Sequence, residues 1–189
     1  MPSNELAGKS IAFLLTNGYE DSELTSPWQA VTGAGAEAAL VSPVSGSVSG
    51  KKGHEQSVDL LAGDADPSDY DALVLPGGVV NADHLRMDEK SVEFTRAFVE
   101  AGKPIAVVCH GPWILIEAGA VKGRRMTSYP SLRTDLLNAG ADWVDEEVVV
   151  DGTLVSSRRP DDLPAFNAKI IEVVGAGAAA PGAEVPSAR

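Results

Sequence analysis

Pro104-Ile105-Ala106-Val107-Val108-Cys109-His110-Gly111-Pro112 is the stretch on which the reading of this chain turns. Pro104 to Val108 contains no polar side chain on alternate positions, so it reads as a strand buried on both faces. It runs straight into Cys109. Pro112 suits the first turn of a helix, where no backbone donor is wasted, and that helix is expected to reach about Ala118 and close at Gly119. Outward from here the same alternation repeats. Ile11–Thr16 and Asp71–Leu75 read as buried strands, and Glu37–Ser42 as the next strand after a helix over Ser22–Thr32, with Asp21 or Ser22 placed to cap it. A single strand, Ser57–Leu61, is expected in the otherwise loop-like stretch 43–69. Helices are expected over Glu89–Ala101 and over Ser131–Asn138, the latter with Ser131 as cap. Arg125–Ser128 reads as a short strand. Asp151-Gly152 predicts a hairpin between Glu147–Val150 and Leu154–Ser157. Asp161 is expected to cap a last helix to about Val174. The order of strands and helices predicts an α/β fold with a mostly parallel sheet and helices on both faces. Residues 1–174 read as one domain, and 175–189 as an Ala/Gly/Pro-rich tail outside the core.

Composition narrows the function classes. The 189 residues carry 15 Lys and Arg against 27 Asp and Glu, a net charge of −12. Such a surface repels phosphate backbones and anionic headgroups, so neither nucleic acid nor membrane is expected as a partner. No apolar run approaches the ~20 residues of a membrane span. Met1-Pro2-Ser3-Asn4-Glu5-Leu6 has no basic, apolar leader character, and one cysteine forms no intrachain disulfide. We therefore expect a cytoplasmic protein with a free thiol.

That thiol sits where chemistry is expected. In open parallel sheets ligands bind beyond the carboxyl ends of the strands. Two such ends carry unusual residues: Cys109-His110-Gly111-Pro112 and Pro76-Gly77-Gly78. The first follows the logic of a nucleophile elbow, a strand, tight turn and helix that lift one side chain above the sheet. A helix N-terminus there is expected to lower the thiol pKa from ~8.5 into roughly 3.5–7.5. The Gly77-Gly78 turn and the His110 N–H are candidates to hold an oxyanion. Only His54, His84 and His110 are available, and none follows His110, which disfavours a triad amidotransferase. The thiol's partners are then His110 or carboxylates such as Glu20 and Asp83. Glu20 follows the first strand, and a protonated Glu there would donate a hydrogen bond to a thiolate. Neither metal nor cofactor is expected.

Several ordered motifs carry a resemblance: Tyr19-Glu20-Asp21-Ser22-Glu23-Leu24, Asp71-Ala72-Leu73-Val74-Leu75-Pro76-Gly77-Gly78, Gly102-Lys103-Pro104, Cys109-His110-Gly111-Pro112, Thr127-Ser128-Tyr129-Pro130, Asn138-Ala139-Gly140 and Val148-Val149-Val150-Asp151-Gly152. From about Ser10 to Ile171 the chain resembles the PfpI-type intracellular peptidases of the ThiJ/PfpI superfamily. The resemblance implies a flavodoxin-like three-layer sandwich and a nucleophilic cysteine, matched by Cys109. It implies a histidine after the nucleophile, matched by His110, and an acid beside the thiol, matched by Glu20. It also implies an acid for the histidine supplied by an adjacent subunit, matched by Asp83. Tyr129 matches a tyrosine near the site. Asp83 departs from the glutamate of the archaeal peptidases, and Trp113 stands where many relatives carry Gln, which implies a narrower pocket. A homodimer or homohexamer is implied.

These features imply a cysteine-dependent hydrolase acting on a small-molecule or peptide substrate, a stress-protective deglycase or an intracellular peptidase. The alternative is a redox-sensing or protective stress protein whose Cys109 is oxidised without turnover.

Overall fold

The computed structural model describes residues 4–177. In chain order the elements are β1 (Ser10–Leu14), α1 (Asp21–Gly33), β2 (Glu37–Ser42), β3 (Ser47–Ser49), β4 (Glu55–Ser57), β5 (Leu60–Leu61), β6 (Ala72–Leu75), α2 (Val79–Met87), α3 (Glu89–Glu100), β7 (Ile105–Val108), α4 (Pro112–Glu117), β8 (Arg125–Met126), α5 (Arg133–Asn138), β9 (Asp142–Trp143), β10 (Val148–Asp151), β11 (Leu154–Ser157) and α6 (Leu163–Ala176). Seven strands form one sheet in the order β10-β11-β7-β6-β1-β2-β5. All neighbours are parallel except β10 with β11. The central order is the 2-1-3-4-5 arrangement of flavodoxin-like sheets.

The apolar strands are buried on both sides because their side chains alternate between two cores. Ala12, Leu14, Leu73, Leu75, Ile105 and Val107 pack with Phe94 and Phe98 of α3 and Leu115 of α4. Ile11, Phe13, Val74, Ala106 and Val108 pack with Leu24 and Val31 of α1 and Phe166 and Ile170 of α6. Each fully buried Phe, such as Phe13 or Phe98, stabilises the fold by about 1.5–3 kcal/mol relative to exposure. Among the described residues no helix is long and apolar enough to cross a membrane.

Several expectations need correction. The expected strand over Ser57–Leu61 is two pieces. β4 pairs with β3 in a small hairpin, whereas β5 joins the main sheet beside β2. The Asp59 carboxylate accepts the Leu40 N–H at 2.7 Å between them, tying the run to β2. The sequence reading missed α2, whose exposed Val79 and Val80 gave no amphipathic signal. Neither Asp21 nor Ser22 caps α1. Glu20 is its N-cap residue and makes no capping bond, and the Asp21 carboxylate accepts the N–H groups of Lys52 and His54. Ser131 does not cap α5, because its hydroxyl faces His110. Asp162 rather than Asp161 precedes α6, and its carboxylate binds Arg158. The strand expected over Arg125–Ser128 stops at Met126, and the Thr127 N–H donates instead to Ser156 Oγ at 3.0 Å. The helix α6 runs to Ala176, and residues 178–189 of the expected tail lie outside the described residues.

Candidate active site

β6 and β7 pair with Leu75 opposite Val107, so Gly77-Gly78 and Cys109 emerge side by side at the carboxyl edge of the sheet. Cys109 has φ 62°, the only left-handed non-glycine backbone among the described residues. An L-residue held there is strained by roughly 1–2 kcal/mol. Three hydrogen bonds maintain it: the Cys109 N–H donates to Ser157 O (3.1 Å), the Gly111 N–H to Val108 O (3.0 Å), and the Tyr129 N–H to Cys109 O (2.9 Å). The turn also requires bare backbone. A Cβ at Gly77 would stand 2.5 Å from Glu23 Oε2 and 2.7 Å from Cys109 Cβ, and one at Gly111 would stand 2.8 Å from Leu75 O.

The acid beside the thiol is Glu23, not Glu20. Glu23 is fully buried on the sheet-facing side of α1. Its Oε2 accepts the Gly77 N–H at 2.7 Å. Its Oε1 has no hydrogen-bond partner, and the carboxyl and the Cys109 Cβ lie side by side against Gly77. Glu20 is buried too, but its carboxylate is taken by Lys52 at 2.9 Å and by Lys51. Burial opposes the charge on Glu20, and the hydrogen bonds from both lysines outweigh it, holding the group below the ordinary carboxylate range. The sequence carried a signal for Glu23. It stands four residues before the buried Pro27, on the stripe that α1 turns inward, whereas Glu20 precedes the helix.

Burial pushes the Glu23 carboxyl up to about 7, against the pull of the Gly77 and Cys109 hydrogen bonds. Burial also pushes the thiol upward, and the Glu23 charge adds to that, while the backbone N–H groups of Gly78 and His110 favour the thiolate. The expected depression of the thiol is therefore not found. The helix α4 has only six residues, and its N-terminus is outweighed by desolvation and by a carboxylate in contact. Thiol and carboxyl are a coupled pair that holds two protons below about pH 7 and one above it. When that proton is on Glu23, the thiolate has the Glu23 O–H and two N–H groups as donors. Of the candidate oxyanion donors, the Gly78 and His110 N–H groups favour a charge on the sulfur, whereas the Gly77 N–H is occupied by Glu23.

His110 Nδ1 lies 3.1 Å from Cys109 Sγ, and Nε2 lies 3.2 Å from Ser131 Oγ. The ring stacks on Tyr129 (centroids 4.8 Å, 24°) and meets the edge of Trp113 at 5.5 Å. Burial, then the Lys51 charge, lowers the His110 pKa, so the ring is neutral at pH 7. Asp83 is exposed on α2 and makes no bond to His110 within the chain. Arg86 of α2 lies over Trp113 and is paired with Glu117. Among the described residues no group of three or more His, Cys, Asp or Glu is placed to hold a metal ion.

The profile of the DJ-1/PfpI family matches residues 9–173. The chain belongs to the DJ-1/PfpI family. Among its relatives is the protein named Deglycase PfpI of Pyrococcus furiosus, 45% identical over 164 residues that cover 87% of this chain and 98% of that one. General stress protein 18 of Bacillus subtilis is 50% identical over 163 residues, covering 85% and 94%. Among solved structures, a two-domain protein from Anabaena variabilis with DJ-1/ThiJ/PfpI-like and ferritin-like domains superposes with a TM-score of 0.86 at 36% identity. The match covers 88% of this chain and 50% of that one.

Proposed function

We propose that this DJ-1/PfpI family member is a cysteine-dependent enzyme of stress defence that removes small carbonyl adducts from amines and thiols, with Cys109 as nucleophile. The observation that carries the reading is the strained Cys109 at the end of its strand, 3.1 Å from His110 Nδ1 and beside the buried carboxyl of Glu23. The thiolate adds to the electrophilic carbon of the adduct. The bond from that carbon to the departing amine or thiol breaks as His110 delivers a proton to the leaving atom. Water then cleaves the carbon–sulfur bond and restores the thiol. The family resemblance leaves a peptide substrate open, but Trp113 and Tyr129 close on His110 from edge and face, which favours a small adduct over a polypeptide. The names of the relatives, a deglycase and a general stress protein, support the same choice.

We place the enzyme in the reducing cytoplasm, where its one thiol stays free, and read its active unit as a homo-oligomer. Val79, Val80 and Met87 are exposed apolar residues on α2, beside Asp83, and support self-association through that face. The deciding experiment is turnover of glyoxal-type adducts and of peptides by the wild type and Cys109→Ala. We expect adduct turnover to fall at least ~100-fold. A Cys109→Ala protein that retains it removes the reading, and turnover of peptides alone reassigns the substrate.

A further inference from the structure

We infer that Lys51 sets the substrate preference of this site, its ammonium group taking the carboxylate of a small adduct that carries one. The inference rests on the reading of Cys109 as the reacting group and narrows the substrate class to anionic adducts. Lys51 stands on the loop between β3 and β4, and a chain of contacts brings it to the nucleophile. Gly77 lies against Cys109, since a Cβ there would meet Cys109 Cβ at 2.7 Å. The Gly77 carbonyl accepts the Glu20 N–H at 3.4 Å. The Glu20 carboxylate in turn holds the Lys51 ammonium. The Lys51 charge accordingly acts on Cys109, Glu23 and His110 alike.

Glu20 leaves this ammonium in surplus. It is one carboxylate between two lysines, and Lys52 Nζ already donates to its Oε1 at 2.9 Å. Asp21, the next acid along the chain, is spent on the N–H groups of Lys52 and His54 at 2.9 and 2.8 Å. Glu20, Lys51 and Lys52 together therefore carry one net positive charge, in a chain whose net charge is −12. An ammonium has three N–H donors, and Glu20 is the one ion-pair partner of Lys51 among the described residues. The Lys51 side chain is 51% exposed, so it meets a ligand arriving from solvent. A cation at the mouth of a site raises the local concentration of anionic reactants and orients them. The rest of the wall does not cancel it, because His110, Tyr129 and Trp113 are neutral rings stacked on one another.

The lysine's backbone is also held in place. Its N–H donates to Tyr19 O at 2.9 Å, the Gly50 N–H to His54 O at 2.7 Å, and the Gly18 N–H to Ser49 O at 2.8 Å. Gly50 lies down on Asp21, where a Cβ would stand 2.6 Å from Asp21 Cγ. The loop is thus tied to the start of α1, and the flexible four-carbon stem supplies the reach between Glu20 and a bound anion.

Iodoacetate and iodoacetamide form the test, because both alkylate the same sulfur with loss of iodide and they differ in charge. The readout is the ratio of their second-order rate constants on Cys109 in the full chain, with Cys109→Ala as the blank. A change in the reactivity of the thiol itself cancels in that ratio. We expect Lys51→Met to lower the ratio of acid to amide about ten-fold, Lys51→Arg to keep most of it, and Lys52→Met to change it by less than about two-fold. Equal ratios in the wild type and Lys51→Met overturn the inference. So does a Lys52→Met protein with the same fall, which gives the effect to the field of the whole loop, and so does a Lys51→Arg ratio as low as that of Lys51→Met, which gives it to a disturbed loop. Adduct turnover then shows which side of the adduct carries the carboxylate. Hemithioacetals of methylglyoxal with N-acetylcysteine or its amide vary the charge on the departing thiol, and those of glyoxylate or methylglyoxal with the amide vary it at the attacked carbon. In Lys51→Met the KM of the charged member should rise about ten-fold relative to the neutral one in one of these pairs, and turnover with no such rise in either overturns the inference. An intact alkylation effect without turnover of any adduct would remove the proposed reaction and leave the anion recognition standing.

Discussion

Replacing Glu23 by Gln removes a charge without changing the shape of the site, and its effect on stability is set by the burial of that carboxyl. The group is raised from 4.5 to about 7 in the folded protein. At about 1.4 kcal/mol for each tenfold change in proton affinity, this corresponds to roughly 3 kcal/mol. Between pH 4.5 and 7 the native protein holds a proton there that the unfolded chain has released. Wild-type stability therefore falls as pH rises through this window, and the fall is complete above about pH 7. Gln keeps an oxygen for the Gly77 N–H and has no proton to lose, so its curve lacks the fall. His110 is depressed by burial and Lys51 and makes stability rise with pH toward 6.5, but it does so in both proteins and cancels in their difference. The raised Cys109 thiol acts only above its unfolded value, outside the window. The assay is urea unfolding of both proteins at half-unit steps from pH 4 to pH 8. With a slope of ~2 kcal/mol per molar urea, the Glu23→Gln midpoint should gain ~1.5 M on the wild type across that range. A midpoint difference that stays constant with pH refutes the buried, raised carboxyl and with it the shared proton.

Glu20 gives a second test. Its side chain is 5% exposed between the Lys51 and Lys52 ammonium groups, which are 51% and 68% exposed. Lys51→Met or Lys52→Met alone should cost less than about 1 kcal/mol, because the other lysine remains, whereas the double variant should cost about 3 kcal/mol, because a buried carboxylate is left without a cation. Urea unfolding of the four proteins measures this, and costs that add within ~0.5 kcal/mol refute it. The backbone at Cys109 gives a third. Gly is ordinarily ~0.5–1 kcal/mol less stable than Ala within regular structure, but at φ 62° the order should reverse. Cys109→Gly should then melt at or above Cys109→Ala, and a glycine variant that melts several degrees lower contradicts the strain.

The parts of the fold that the sequence displayed are those fixed by burial. Ile105–Val108 and Ala72–Leu75 have every residue buried, and an unbroken apolar run beside a proline leaves little else to read. Cys109, His110 and Gly78 were read from their places at strand ends, and Tyr129 from the family resemblance. Glu23 did not, because its role depends on which side of α1 faces the sheet. An acid read along the chain looks like the neighbouring Glu20 and Asp21 until the helix is rotated onto the core. The Lys51–Lys52 loop was illegible for another reason. It reaches the site only through a hairpin of two three-residue strands, β3 and β4, whose position depends on side-chain bonds to Asp21. Ser131 had a sound local reading as a helix cap, and a tertiary contact with His110 overrode it.

The two margins of the sheet have a consequence for how this chain can associate. On one side the outermost strand, β5, is only two residues long. On the other, β10 runs antiparallel to its neighbour and lies beside β8. Neither offers a long run of open amide and carbonyl groups on which another chain could zip up as an added strand. Molecules of this protein that meet therefore do so through side chains on helices and loops. The fold is thereby guarded against fibrous growth through its most apolar layer.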